Sequence, residues 1–113
     1  MTISDVGTKN SILSSLVTSV NVGGANSGKL VYKATATVLA TLTAVTFAAP
    51  SAGSVSFTST PSASNAATGT ATTVELQTSA SIVIAIFLAG EITVTGSITA
   101  GQTLTETSGT ITI

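Results

Sequence analysis

KLVYKATATVLATLTAVTF, residues 29–47, is the stretch that decides the fold class. It is dense in Val, Thr, Tyr and Phe, which favour β-strands because their side chains fit a pleated, half-buried surface. Its second half also alternates with a period of two, which is typical of a strand with one buried face. The two alternating sets are Val38, Ala40, Leu42 and Ala44 against Thr37, Leu39, Thr41 and Thr43.

Further strands are predicted on the carboxyl side of this stretch. Pro50 and Gly53 precede SVSF, which places Val55 and Phe57 on one face, and residues 60–70 (TPSASNAATGT) are predicted to form a loop or a connection at a sheet edge. The segments that follow are ATTVELQT, SIVIAIFLAG, EITVTGSI and QTLTETSGTITI. Six or seven short strands at intervals of about 8 to 12 residues predict a mainly β protein. We expect an antiparallel β-sandwich of jelly-roll or immunoglobulin-like type, or a small barrel, with a short N-terminal helix.

Threonine takes the place of charge on the exposed faces of the late strands. Leu104 alternates with Thr103 and Thr105, and the same pattern recurs one strand earlier. β-branched side chains suit the pleat, and the hydroxyl group tolerates water. We therefore expect threonines to face solvent and aliphatic residues to face the core. The earlier pattern sets Ile92 and Val94 against Thr93 and Thr95.

The apolar run IVIAIFLA, residues 82–89, has no polar face. Such a run predicts a central strand that is covered on both sides, in part by a partner chain. A charge introduced at Ile84 would then be buried without a partner, at a cost of several kcal/mol. We predict that Ile82, Ile84 and Ile86 are interaction residues.

The N-terminal segment SILSSLVTSV, residues 11–20, has the spacing of an amphipathic helix. We predict a helix over about residues 10–20 with Asn10 or Thr8 as the N-cap, followed by a Gly- and Asn-rich loop. The chain is thereby divided into an N-terminal arm, 1–28, and a β domain, 29–113. We expect the arm to pack on a neighbouring subunit or shell protein. The residues predicted to make that contact are Ile12, Leu16 and Val20, which share the helical stripe with Leu13 and Val17.

The composition points to a chain that packs against neighbours. Of its 113 residues, 43% are hydrophobic and 6% are charged, and the net charge is −1. An average soluble domain carries about 25% charged residues. A net charge near zero removes the repulsion that keeps free proteins apart. We therefore expect a homo-oligomer.

The same composition argues against several classes of function. Lys9, Lys29 and Lys33 are the only cations, too few for a nucleic-acid-binding face. The chain has no His and no Cys, so we predict no serine nucleophile with a histidine base, no thiolate metal site and no cofactor. The longest apolar run has 8 residues, whereas a membrane-spanning helix needs about 20. We expect neither an enzyme nor a membrane protein.

Two patterns could carry chemistry, and both are better explained structurally. GGANSGK, residues 23–29, has the spacing of a phosphate-binding loop. Leu30, however, stands where that motif needs Ser or Thr, and the loop would follow a helix and lead into a strand. The acidic residues are isolated in the sequence, so we expect Glu75 and Glu106 to be solvent-facing strand positions. The acidic residues are Asp5, Glu75, Glu91 and Glu106.

Residues 29–113 resemble a family of small, β-rich virion structural proteins of tailed bacteriophages. The matching motifs are KLVYKA, LATLT, AAPSAGSVSF, AATGTATTVEL, GEITVTGSITAGQTLTETSG and a terminal TITI. The resemblance implies a non-enzymatic particle component. The leading expectation is an accessory protein that decorates or cements the capsid, bound to the major capsid protein at the virion surface as a homo-oligomer, with a trimer favoured over a dimer.

Two alternatives accompany that expectation. The first is a tail, neck or fibre-attachment protein, because such proteins use similar sandwiches. The second is a carbohydrate-binding or adhesive surface module, since sandwiches also host such sites. Sugar sites usually present aromatic rings, and this chain offers only four, so the second alternative ranks lower. The four rings are Tyr32, Phe47, Phe57 and Phe87.

Overall fold

The structure is a computed structural model that describes residues 3–24, 27–87, 92, 96–106 and 109–112. Within these ranges the chain forms one helix, α1 (Val6–Val20), followed by ten short strands. The strands are β1 (Lys29–Ala34), β2 (Thr37–Leu42), β3 (Ser54–Ser56), β4 (Ser62–Ser64), β5 (Gly69–Ala71), β6 (Thr73–Gln77), β7 (Val83–Phe87), β8 (Gly96–Ile98), β9 (Thr103–Thr105) and β10 (Thr110–Thr112). The predicted fold class, mainly β with a short N-terminal helix, is confirmed.

All strand pairs are antiparallel. Four strands form one sheet in the order β2-β1-β6-β7, and the others form the two-stranded ladders β10-β3, β4-β9 and β5-β8. The strands outnumber the six or seven predicted. One reason is that residues 60–70, which we expected to be a loop or an edge connection, contribute β4 and β5. Each of these pairs with a strand from the last quarter of the chain.

The sheet and the ladders share one hydrophobic core. Leu30 of β1 and Leu76 of β6 are fully buried in it, and Ile98 of β8 and Leu104 of β9 reach it from the ladders. Phe57 lies between Phe47 and Phe87, with ring centroids 5.3 and 5.8 Å apart in edge-to-face geometry. Edge-to-face contact suits the quadrupoles of aromatic rings. The prediction that Val55 and Phe57 share the core face is confirmed.

The alternation predicted for β2 is interrupted by a β-bulge. Tyr32 pairs with Ala40 and Lys33 pairs with Val38, so Leu39 is an extra residue on β2. A bulge shifts the side-chain alternation by one position. Leu39 is therefore fully buried and Val38 is 41% exposed, the reverse of the prediction. Ala44 is also exposed; it lies beyond the end of β2, with a φ of +58°.

Later in the chain the predicted alternation agrees with the structure where it is described. Ile92 and Leu104 are buried, whereas Thr103 and Thr105 are exposed. The remaining positions of this prediction, residues 93–95, lie outside the described residues. Threonine thus faces outward on β9, as expected from its tolerance of water and its β propensity.

Helix α1 begins earlier than predicted. Its N-cap is Asp5, whose carboxylate accepts hydrogen bonds of 2.8 Å from both the backbone N–H and the hydroxyl of Thr8. These bonds, the hydroxyl first, hold the pKa of Asp5 below its usual value. Asn10, one of the predicted caps, lies inside the helix instead. Its side-chain oxygen accepts a hydrogen bond of 3.1 Å from the N–H of Gly53.

The apolar stripe of α1 packs on the chain's own β domain. Leu13 and Val20 are fully buried, and Leu16 packs against the core that contains Val20. These three residues follow the i, i+3, i+7 spacing of one helix face. Of the three contact residues predicted for the arm, Val20 is fully buried, Leu16 is partly buried and Ile12 is 40% exposed. Helix α1 thus contributes Val20, and in part Leu16, to the same core as the strands, while the predicted contact with another protein stays a prediction.

Strand β7 lies at an edge of the sheet, not at its centre. The central positions belong to β1 and β6, and in the described part of the chain β7 pairs only with β6. Ile82 and Ile86 are 59% and 57% exposed, and Ile84 is half-buried against the core. We expected both faces of this strand to be covered. Within this chain they are not, because Ile82 and Ile86 remain exposed. Residues 88 and 89 of the apolar run lie outside the described residues.

Among the described residues, no helix has both the length and the apolar character needed to cross a membrane.

Candidate interaction surface

One face of the four-stranded sheet points away from the core. Cross-strand partners lie on the same face of a sheet. Leu30 pairs with Leu76, which pairs with Ala85, and these three residues face the core. Their neighbours along the strands therefore lie on the opposite side of the sheet, which we call the outer face. Val31 and Gln77 are buried there. The outer face comprises Val38, Thr41, Lys29, Val31, Lys33, Thr73, Glu75, Gln77, Val83 and Ile86.

The centre of the outer face is occupied by an ion pair. Lys33 Nζ lies 3.3 Å from Glu75 Oε1, and Gln77 Nε2 donates a hydrogen bond of 2.8 Å to the same oxygen. The Glu75 side chain is only 13% exposed, so the expectation that it faces solvent is corrected. Its charge is instead neutralised by the lysine on the adjacent strand. The centre of this face therefore carries no net charge.

Strand β7 and the residue before it form the apolar margin of the outer face. Ile82, Val83 and Ile86 are 59%, 44% and 57% exposed. Leu76 pairs with Ala85 and Gln77 with Val83, so Ile84 is the extra residue of a second β-bulge and turns towards the core. Residues 79–87 contain no charged side chain. The structure thus brings together two of the predicted interaction residues and adds Val83, which the apolar run contained but the prediction did not single out.

The two edge strands of the sheet, β2 and β7, differ in the hydrogen bonding of their outer backbone groups. At the β2 edge, the carbonyl oxygen of Leu39 accepts hydrogen bonds of 2.8 and 3.3 Å from the N–H groups of Ala66 and Ala67. This carbonyl of the bulged residue is thus hydrogen-bonded by Ala66 and Ala67 of the same chain. In the described part of the chain, β7 is paired on one side only. Among the described residues, β7 is therefore the edge of the sheet that has no strand beside it.

The outward faces of the ladders carry pairs of hydroxyl groups. Ser54 and Thr112, on β3 and β10, have hydroxyl oxygens 3.0 Å apart, and those of Thr46 and Thr58 are 2.7 Å apart. The pair Ser62 and Thr105 recurs in register on the β4-β9 ladder. Hydroxyl pairs satisfy each other across strands and still accept water. The surface of the ladders is therefore polar but uncharged.

A second carboxyl group lies inside the core. Glu106 is fully buried, and its Oε2 accepts a hydrogen bond of 2.5 Å from the hydroxyl of Tyr32, which is also fully buried. The expectation that Glu106 faces solvent is corrected. Burial, followed by the hydrogen bond and the charge of Glu106, raises the pKa of Tyr32. This contact ties β1 to the segment that follows β9.

The raised pKa of Tyr32 predicts that the protein loses stability in alkali. Above the ordinary value of 10.0, the unfolded chain loses the tyrosine proton while the folded protein keeps it. The unfolded state then binds fewer protons, so the free energy of unfolding should fall by about 1.4 kcal/mol per pH unit. Urea unfolding at several pH values above 10 measures this slope. Tyr32→Phe should show a slope smaller by that amount; equal slopes in the two proteins would contradict the assignment.

The other patterns of the sequence have structural roles in the described part of the chain. Lys29, the lysine of GGANSGK, donates a hydrogen bond of 2.8 Å to the hydroxyl of Ser81, and the loop joins a helix to a strand, as expected. No group of three or more acidic residues comes together in the described ranges. Of the four aromatic rings, Tyr32 and Phe87 are buried in the core, and Phe47 and Phe57 are partly buried against it. Glu91 lies outside the described residues.

Comparison of the chain with known protein families, with curated proteins and with solved structures found no match.

Proposed function

We propose that this chain is a non-enzymatic structural protein of a tailed-bacteriophage virion, of the type that decorates or cements the capsid. It would work by contacts with the major capsid protein and with copies of itself. The assignment to a virion comes from the resemblance of residues 29–113. The observation that carries the assembly role is the open, apolar edge at β7 on a chain of which only 6% is charged.

The outer face is suited to protein contacts because burying its margin at β7 removes apolar surface from water, and the charges at its centre are already paired. Each Å² of apolar surface that leaves water contributes about 25 cal/mol. Ile82, Val83 and Ile86 supply such surface at the margin. The neighbouring Lys33 and Glu75 already neutralise each other, so a partner need not provide a counter-charge.

The non-enzymatic part of the proposal is supported by what the carboxylates do. Asp5 caps α1, Glu75 binds Lys33, and Glu106 accepts a hydrogen bond from Tyr32. General acid–base chemistry needs a carboxylate within reach of a substrate proton. The carboxylates of the described residues instead hold the fold together.

The proposal predicts that the purified protein binds preformed shells. The shells would be assembled from the major capsid protein of the genome that encodes this chain, and binding measured by co-sedimentation. We expect saturable binding of the wild-type protein. Ile86→Lys should bind about tenfold more weakly or worse, since the new charge would be desolvated at the contact.

Thr103→Lys provides the matched control, because Thr103 is also an exposed strand residue but lies on β9. It should bind like the wild type. Failure of the wild-type protein to bind shells would overturn the proposed function. Normal binding by Ile86→Lys would instead remove β7 from the contact with the shell.

A further inference from the structure

We propose that β7 pairs with β7 of a second copy of this chain, antiparallel and about a two-fold axis, to form one continuous eight-stranded sheet. The inference rests on the proposed function, because it names the self-contact through which an assembling chain would act. It also names a dimer, where the sequence resemblance implied a trimer.

The first argument is the state of the sheet edge. An edge strand presents unpaired N–H and C=O groups that can template another strand, and proteins usually protect such edges with charges, proline or a β-bulge. Strand β7 has a bulge but lacks the other two devices. Residues 79–87 contain neither. The bulge at Ile84 interrupts the ladder towards β6 and limits the length of a regular pairing.

The second argument is that the proposed pairing uses the β7 edge of both copies and leaves neither free for a third. The opposite edge of the sheet is occupied at Leu39, whose carbonyl oxygen accepts hydrogen bonds from Ala66 and Ala67. In the described part of the chain, the four-stranded sheet of each copy therefore offers β7 as the edge without a hydrogen-bonded strand. A contact between two identical edges about a two-fold axis uses both of them. The assembly stops at two copies and does not grow into a filament.

The third argument is the match of faces across the proposed contact. In antiparallel pairs, residues directly opposite each other point to the same side. If Val83 lies opposite Ile86 of the second copy, Ile84 lies opposite Ala85. Val83 and Ile86 belong to the outer face, while Ile84 and Ala85 both pack against the core. This register therefore keeps each face continuous and buries the exposed Val83 and Ile86 against each other.

The fourth argument is electrostatic. A second copy of β7 brings no charge to a strand that has none. Lys29, which donates a hydrogen bond to Ser81, is the cation at this end of the strand. In the proposed register the two Ser81 residues are separated by seven residues of strand, roughly 20 Å. That exceeds the screening length of about 8–10 Å, so the two lysines do not repel each other appreciably.

Cysteine cross-linking tests both the contact and its register, since the chain contains no cysteine. Val83→Cys and Ile86→Cys would be purified separately, mixed, and oxidised. We expect a disulfide-linked dimer from the mixture only, because a disulfide requires Cα atoms within about 7 Å and neither position faces itself across the axis. A control mixture of Thr103→Cys with Ile86→Cys should not link. A disulfide from either variant alone, or none from the mixture, would overturn the proposal.

Sedimentation of the unmodified protein gives the second measurement. We expect a dimer for the wild type and for Thr103→Lys, and a dissociation constant raised about tenfold or more for Ile86→Lys. Circular dichroism of each variant verifies that it is folded. A wild-type protein that stays monomeric at high concentration would overturn this inference. If that monomer still bound shells, the proposed function would stand. If the protein formed a dimer that did not bind shells, the proposed function would fail, but the inferred contact between two β7 strands would stand.

Discussion

Replacing Leu76 with alanine is expected to lower the free energy of unfolding by about 2–5 kcal/mol. Leu76 is fully buried on β6, opposite Leu30 of β1 on one side and Ala85 of β7 on the other. A strand that is paired on both sides cannot move inward to fill the space left by the lost side chain. The cost therefore includes the cavity as well as the lost burial of apolar surface, and it is a large part of the stability of a small domain.

Ile86→Ala is the matched comparison. Ile86 is also a large aliphatic strand residue, but it is 57% exposed on the adjacent strand. We expect it to cost less than about 1 kcal/mol in the monomer. Urea unfolding at high dilution measures both values without a contribution from the dimer, and Leu76→Val offers a milder change if Leu76→Ala does not fold. Equal costs at the two positions would show that β7 is not the edge of the sheet.

Removing the hydroxyl of Tyr32 is expected to cost about 1.5–3 kcal/mol, the usual contribution of a hydrogen bond to a charged group. Tyr32→Phe keeps the ring and deletes only the donor that reaches Glu106. Glu106→Leu should cost about 1–3 kcal/mol, because it leaves the buried hydroxyl without this acceptor. Replacing both partners removes both polar groups from the same contact. The double variant should therefore be more stable than the sum of the single effects implies.

A double-mutant cycle measures that difference. We expect a coupling energy of about 1.5 kcal/mol or more between Tyr32 and Glu106. The control cycle uses Thr46→Val and Thr58→Val, whose hydroxyl oxygens are 2.7 Å apart at the surface. Water replaces a lost partner there, so the coupling should be less than about 0.5 kcal/mol. A buried coupling no larger than the surface one would mean that the Tyr32–Glu106 contact adds nothing to the fold.

The sequence alone predicted only part of the candidate interaction surface. The apolar run drew attention to Ile82 and Ile86, because a strand with no polar face is unusual in a small protein, and both residues are exposed in the structure. It also included Ile84, which a bulge turns towards the core. The apolar sequence of residues 82–89 is the same whether the second face of the strand is covered by this chain or by another chain. Only the strand order shows that β7 is an edge.

Local features of the sequence determined the elements. β propensity and alternation predicted a mainly β protein in which Thr103 and Thr105 face outward and Leu104 faces inward. A period near 3.6 predicted the N-terminal helix. These features depend on neighbours a few residues apart, and such spacings survive in any tertiary arrangement that keeps the element.

The tertiary structure alone decided which faces are covered and by what. Glu106 looks like an exposed strand residue until Tyr32, 74 positions away, supplies a buried donor. Val20 looks available to a partner until β1 and β6 form the core that encloses it. Val38 is exposed because Leu39 is an extra residue in its pairing with β1. Each of these outcomes depends on contacts between residues that are distant in the chain. One extra residue in a strand also reverses the side to which its neighbours point, so local alternation cannot predict which residues are covered.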